Sequence, residues 1–453
     1  MVMSRVLKIG LSLLLAASMW YYFDVVVIRH QEAEATLHKT PRGNLSDLYP
    51  RWLGTRELLL HGRDPYSAEV TREIQVGFYG QALDGSHPGL PKDEERFAYP
   101  VYVAFLLAPT ITIPFPVVRV LFQLLLALLT AASVPLWMRG LGLRMDRTTT
   151  AMIAILLLGS LPVVEGLHLE QLTLLECFLI AASCAAMTGG RFVMAGALLA
   201  IATIKPQIAL PLAAWFGLWA FSDWKRRRGF FWGFAVTMSA LFAGAHWVLP
   251  GWLGRWWTAV HAYMAYTDPR SLLEVTFGRR GGLMATLAVA MTVGLSCWLS
   301  RRSRAGSFAF NVCLLSVITA DVLCKPGFPF YDETILLPAV LWLATCWETI
   351  RQRSWAGRWS YCLTGFLLTW EWVGALAMTS LSLLHWSSAA LQAWQLPARA
   401  QLSVPIGVLY LLGLLAGDMW RSRASLSRSG ERGGGWVPAI AREAARCTTP
   451  LND

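Results

Sequence analysis

The sequence predicts an all-α polytopic membrane protein, and three observations lead there. Of its 453 residues, 55% are apolar and only 15% charged, against about 25% charged in soluble chains. Its mean hydropathy is +0.46. The apolar residues gather in runs close to the roughly 20 that a helix needs to cross a hydrocarbon core about 30 Å thick. A water-soluble globule is excluded. Because the bilayer replaces part of the core that a soluble chain must bury, one helical domain over 1–420 is expected, followed by a basic, disordered cytoplasmic tail over 421–453.

The runs fall at about 7–28, 117–137, 149–164, 170–187, 192–221, 230–249, 283–299, 307–323, 334–350, 360–384 and 402–420, with a shorter one at 99–113. The first opens on Arg5 and Lys8, and Ala16-Ala17-Ser18 imitates a signal-peptide cleavage site. It continues through Trp20, Tyr21, Tyr22 and Val25 to Ile28, too long for a signal core, so an uncleaved first span is expected. Pro114 and Pro116 interrupt one region and Lys205-Pro206 another. About twelve spans result in either of two ways. In the preferred count 99–113 only dips in and 192–221 breaks at Lys205-Pro206 into two short spans; in the other, 99–113 crosses and 192–221 is one tilted helix.

The balance of 39 Lys+Arg against 28 Asp+Glu, +11, is concentrated in short loops. Lys225, Arg226, Arg227 and Arg228 share one, Arg301, Arg302 and Arg304 another, and Arg351, Arg353 and Arg358 a third, with six arginines after Trp420. Such loops mark the cytoplasmic side and contact anionic lipid, which puts both termini inside. No aromatic interleaving or recognised module accompanies them, so a nucleic-acid partner is not expected. Cys177, Cys184, Cys297, Cys313, Cys346 and Cys362 sit in apolar stretches, Cys324 at a membrane edge and Cys447 in the tail. Without a CxxC pair they read as small buried hydrophobes rather than zinc ligands.

The longest hydrophilic stretch, Arg29–Arg96, carries nine basic and eleven acidic residues and lies outside by span parity, forming an outer loop over 29–98. Within it Leu45, Leu48, Trp52 and Leu59 recur at helical spacing, which predicts an amphipathic helix on the membrane surface, ended by Gly62 and Asp64-Pro65. Ionisable groups near membrane depth are functional candidates, since an unpartnered charge there is costly. Asp24, Asp47, Asp64, Glu165, His168, Glu170, Lys205, Asp321, Lys325, Asp332 and Glu333 all gather at the outer edge under the preferred topology. No P-loop, no Asp-x-Asp and no HExxH occurs, which argues against a cytosolic nucleotide donor and a zinc protease.

A resemblance rests on an ordered series of residues. Asp47-Leu48-Tyr49, Gly62-Arg63-Asp64-Pro65-Tyr66, Phe97-Ala98-Tyr99-Pro100, Gln171 opening a span, Ala195-Gly196 with Ile204-Lys205-Pro206, and Tyr331-Asp332 before Leu336-Leu337-Pro338 together resemble the GT87 (DUF2029) family over roughly 45–340. The resemblance implies a GT-C-like bundle and relatedness to polyprenyl-phosphate-mannose-dependent mannosyltransferases. It implies transfer of a hexose, mannose being the best-known case, from a polyprenyl-phosphate carrier to a lipid or glycan acceptor on the outer side of a bacterial inner membrane. Asp47 would take the acceptor proton in an inverting displacement. Lys205, with Arg270, Arg279 or Arg280 behind it, would stabilise the departing phosphate. Asp64, His168, Gln171, Tyr331 and Asp332 would contact substrate; no cofactor is expected and a metal is disfavoured. The family often has Gly-Gln followed two residues later by Asn, where this chain reads Glu170-Gln171-Leu172-Thr173. Some relatives carry histidines where Tyr331-Asp332 stand.

Plainer roles stand beside these. Asp47 also suits a helix N-terminal carboxylate, Lys205 a snorkelling lysine, Asp64 a turn residue before proline and His168 an interfacial histidine. Asp332 with Tyr331 divides between sugar contact and interface anchoring. A transporter or flippase of a lipid-linked sugar is the main alternative function; it predicts paired broken helices in two related halves, whereas the chain shows one broken candidate and no repeat.

Overall fold

The computed structural model describes residues 5–43, 46–84, 90–352, 354–384 and 387–429. Every regular element among them is helical. The chain opens with α1 (Arg5–Tyr21), a π-helical turn at Tyr22–Val27 and α2 (Ile28–His38), together one rod of 34 residues. Two short helices, α3 (Leu48–His61) and α4 (Ala68–Tyr79), fold the hydrophilic loop, and α5 (Val103–Leu107) dips back. The bundle follows: α6 (Phe115–Leu141), α7 (Arg147–Leu158), α8 (Leu161–His168), α9 (Leu172–Thr188), α10 (Phe192–Ala202), α11 (Pro206–Phe221), α12 (Trp224–Val248), α13 (Trp252–Tyr266), α14 (Leu272–Ser300), α15 (Phe308–Cys324), α16 (Leu337–Thr345), α17 (Trp347–Arg351), α18 (Trp355–Leu383), α19 (Ser387–Gln392) and α20 (Val404–Ser429).

Among the described residues six helices are long and apolar enough to cross a membrane, or seven if α7 and α8, bent by 56°, form one span; α9, α10, α11 and α15 are shorter apolar helices. The chain is a membrane protein. The region 99–113 holds only the five-residue α5 and a 3-10 turn, and 192–221 breaks at Thr203–Lys205 into α10 and α11, the break that the preferred reading expects. Pro206 lacks the amide that would continue α10, and it fits the first turn of α11.

The bundle has two chemically different ends. At one, the Arg227 guanidinium donates to the carbonyls of Trp219 (2.8 Å), Arg301 (3.0 Å) and Ser303 (2.9 Å), so the basic loops 222–229 and 300–306 are pinned together. At the other end of α11, Lys205 meets the turn after α8 and the segment after α15.

Three expectations change. The helix starting at Leu48 is not a surface helix: Leu48, Trp52, Leu53 and Leu58 are buried in a core with Phe97, Tyr99, Val118 and Trp252. The reason is the segment after residue 96, which roofs α3; Phe97 lies where a side chain on Gly54 would have to go. The interval 250–282 between two of the predicted apolar runs is largely helical: α13 occupies Trp252–Tyr266, and Ser271 and Glu274 form a reciprocal capping box that starts α14 early. Gly278, at φ 71°, then kinks it. Finally, α20 continues to Ser429, into the expected tail; 430–453 and Leu45 lie outside the described residues.

The tightest crossing is α10 on α12. A Cβ on Gly196 would run into the Phe230 carbonyl, and one on Gly233 into the Val193 carbonyl, so backbones touch where only glycine fits. Gly196→Ala and Gly233→Ala are expected to destabilise by about 1–3 kcal/mol each. Gly217→Ala on α11, where nothing lies within 4 Å, should instead stabilise by about 0.5–1 kcal/mol. Thermal unfolding in one detergent separates the two outcomes.

Candidate functional site

Four chain segments meet at the end of the bundle away from the basic loops. Lys205 is projected by the α10–α11 break, Thr173 lies in the first turn of α9, Lys325 follows α15, and Asp332 sits on a 3-10 turn over Phe330–Leu336. The Lys205 Nζ donates to Thr173 Oγ1 (2.5 Å) and Asp332 Oδ1 (3.0 Å), and Thr173 Oγ1 donates to the same carboxylate oxygen (2.9 Å). The Lys325 Nζ takes the other oxygen at 2.5 Å and reaches the Gly327 carbonyl at 3.2 Å. Both lysines and Asp332 are buried. Burial alone would raise the Asp332 carboxyl, but the two ammonium groups hold it down at about 2. Within the hydrogen-bonded cluster two ammonium groups thus share one carboxylate, and all three side chains line the space beside it.

That space is a cavity of about 330 Å³. Lys205, Lys325, Asp332, Arg51 and Gln171 form its polar side, and Trp256, Val260, Tyr263 and Met264 of α13 its apolar wall. The Lys205 Nζ lies 4.8 Å from the Tyr331 ring centre. The cavity thus sets cationic side chains on one face and apolar side chains along the other.

Asp47 stands behind Gln171. Gln171 Nε2 donates to Asp47 Oδ2, and the Arg51 guanidinium donates to the Asp47 carbonyl. The Asp47 amide in turn donates to the Leu169 carbonyl at 2.9 Å. Burial pushes the Asp47 carboxyl up from its ordinary value, against the pull of Arg51. Glu95, at φ 46°, is pushed up to about 9 by burial and by the negative charges of Asp47 and Asp93. Arg51 lies 4.5 Å from the Tyr99 ring centre, and its charge opposes the rises of Asp47 and Glu95 and that of Asp93, which burial also pushes up.

Of the residues singled out by sequence, the structure thus brings together Asp47, Gln171, Lys205, Tyr331 and Asp332. Asp64 accepts from the Tyr66 amide (2.9 Å) and from Arg255 (2.9 Å), a turn role outside the cavity. Arg270 is exposed and bound to Asp268 at 2.6 Å; Arg279 and Arg280 are exposed on α14 and do not line the cavity. His168 faces a second cavity, of about 380 Å³, and pairs with Asp24 at 2.6 Å. Sequence reading passed over Arg51, Thr173 and Glu95 as site members, and it held Lys325 as an outer-edge candidate without giving it a role. Among the described residues no group of three His, Cys, Asp or Glu side chains is placed to hold a metal ion.

Asp332→Asn leaves two buried ammonium groups without their counter-charge. Loss of about 3–5 kcal/mol is expected, read as a lowered Tm in detergent; Lys205→Gln, which leaves the Lys325–Asp332 pair, should cost less.

A family model described as glycosyltransferase family 87 matches residues 97–326, just over half of the chain. The match includes Gln171, Lys205 and Lys325, while Asp47 precedes it and Asp332 follows it. No curated protein and no solved structure matches the chain. The family model covers more than half of this helical, membrane-spanning chain, so the chain belongs to glycosyltransferase family 87 and is a membrane glycosyltransferase.

Proposed function

We propose that the protein moves a hexose, with mannose the first candidate, from a polyprenyl-phosphate carrier to a lipid or glycan acceptor. In this reading the cavity faces outward from a bacterial inner membrane and both termini are cytoplasmic, with the shorter helices adding to the long ones toward about twelve spans. The observation that carries the reading is the pairing of two lysines with one aspartate beside an apolar wall. A carrier phosphodiester gains charge as it leaves as a monoester, so a surplus of fixed positive charge stabilises the transition state more than the ground state. Asp332 remains ionised and keeps both lysines oriented. The wall of α13 suits the isoprenoid chain.

Asp47 acts as the base. The acceptor oxygen forms a bond to the anomeric carbon, its proton passes to Asp47, and the bond from that carbon to the phosphate oxygen breaks with its electron pair leaving on phosphate. Attack opposite the leaving group inverts the anomeric centre. A carboxyl raised by burial is a stronger proton acceptor and closer to the working pH than an exposed one. Gln171 fixes the orientation of that carboxylate.

Purified protein given a polyprenyl-phosphate mannose in nanodiscs tests this. Asp47→Asn is expected to lower transfer by at least about 10²-fold with the fold retained. Lys205→Gln should lower kcat by about 10²–10³-fold. Carrier flipping without sugar transfer would instead establish the transporter alternative. The base must be ionised, so activity is lost as pH falls through the Asp47 pKa; because that pKa is raised, the acid limb of kcat/KM should lie above the usual aspartate range near 3.9.

A further inference from the structure

The second cavity is the same order of size as the first and does not belong to it. At about 380 Å³ it falls within the range of small-molecule sites, about 300–1,000 Å³. It is lined by Phe23, Asp24, Arg42, Arg119, Glu165 and His168, among others, so carboxylates, guanidinium groups and an imidazole converge on it. The two backbone irregularities nearest to it are not incidental to its shape. Asp24 and Phe23 project from the π-helical turn Tyr22–Val27, and such turns widen a helix locally and recur at functional sites. Glu170 holds a left-handed φ of 49°, with its carboxylate tied to Arg119 at 3.0 Å and to Gln123 at 2.7 Å. That turn carries His168 into one cavity and Gln171 into the other.

Hydrogen bonds link the linings of the two cavities at two places. Leu169 lines the second cavity and its carbonyl holds the Asp47 amide, while the Asp47 carboxylate is held by Gln171, which lines the first. Glu165 lines the second cavity and its Oε2 accepts from the amide of Tyr331, which lines the first, at 3.2 Å. Asp47 is thus suspended between the two spaces.

We infer that the second cavity is the acceptor subsite and takes the polyhydroxylated head of a glycoside. Hydroxyl groups both donate and accept, so a polyol matches a surface that mixes carboxylates with guanidinium groups better than an anion or a hydrocarbon does. His168 is fixed for this: Nδ1 faces the Val164 carbonyl at 2.8 Å and Nε2 faces Asp24, and the ring packs on Phe23 with centres 4.5 Å apart. Asp24, still about half exposed, keeps an oxygen for a ligand hydroxyl, and the Phe23 and His168 rings give a sugar an apolar face. The inference rests on the proposed reaction for its direction: the hydroxyl that reaches past Leu169 to Asp47 gives its proton to that carboxylate and its lone pair to the anomeric carbon, and the carrier phosphate takes the released bonding pair. A lipid-linked and a free glycoside share this chemistry.

Photolabelling of the full-length protein in nanodiscs tests it without turnover. Three diazirine probes are compared: octyl mannoside, methyl mannoside and farnesyl phosphate. Both or either mannoside is expected to label 20–31 and 165–169, and octyl over methyl identifies a lipid-linked source. Asp24→Asn should weaken mannoside labelling about tenfold, the worth of one hydrogen bond to a charged group, and leave farnesyl phosphate labelling on α13 unchanged. Leu169→Trp, which fills the cavity without removing a charge, should block the mannosides in the same way. Mannoside labelling confined to the Lys205 cavity, or absent, overturns the inference. Farnesyl phosphate that fails to label α13 overturns the donor assignment and leaves the acceptor assignment standing on its own labels.

Discussion

The structure depends on a buried carboxylate shared by two ammonium groups. Lys205, Lys325 and Asp332 come from three separate segments, and Thr173 from a fourth. None of these charges is tolerable there alone, because burying one without a partner costs several kcal/mol. The break between α10 and α11, the end of α15 and the 3-10 turn before α16 must therefore converge on one point. Packing of the apolar helices brings the segments near one another; the charge requirement fixes their register.

Much of the fold was legible because its causes are local. Apolar run length marks the long helices, Pro206 marks the break, and Gly62 in a left-handed conformation (φ 66°) ends α3 as the Gly-Arg-Asp-Pro turn implies. The basic loops 222–229 and 300–306 do fall at one end. What was not legible depends on contacts across the chain. Burial of α3 follows from Phe97 and Trp252 covering it, and hydrophobic spacing cannot tell a helix lying on lipid from one lying under another segment. The early start of α14 was readable in Ser271 and Glu274, yet was masked by the longer apolar run that follows.

The site divides the same way. Asp47, Lys205 and Asp332 stood out because charge near membrane depth is conspicuous, and they do assemble. Arg270, Arg279 and Arg280 were expected, through the resemblance, as further cations for the departing phosphate and do not assemble, since an exposed arginine in water or at an interface needs no partner. Thr173 was read only as a departure from the family's Asn; its hydroxyl turns out to bridge lysine and aspartate. Lys325 was one outer-edge candidate among several with no role of its own; the structure folds it back onto the Gly327 carbonyl and Asp332.

The suspension of Asp47 has a consequence for inheritance. Its main chain hangs from Leu169 and its side chain from Gln171, with the strained Glu170 between them. The loop that bears the carboxylate thus does not set its aim; a turn more than a hundred residues later does. A chimaera importing residues 46–100 from a homologue would need that homologue's 166–173 hairpin as well, so these two stretches form one heritable module despite their separation along the gene.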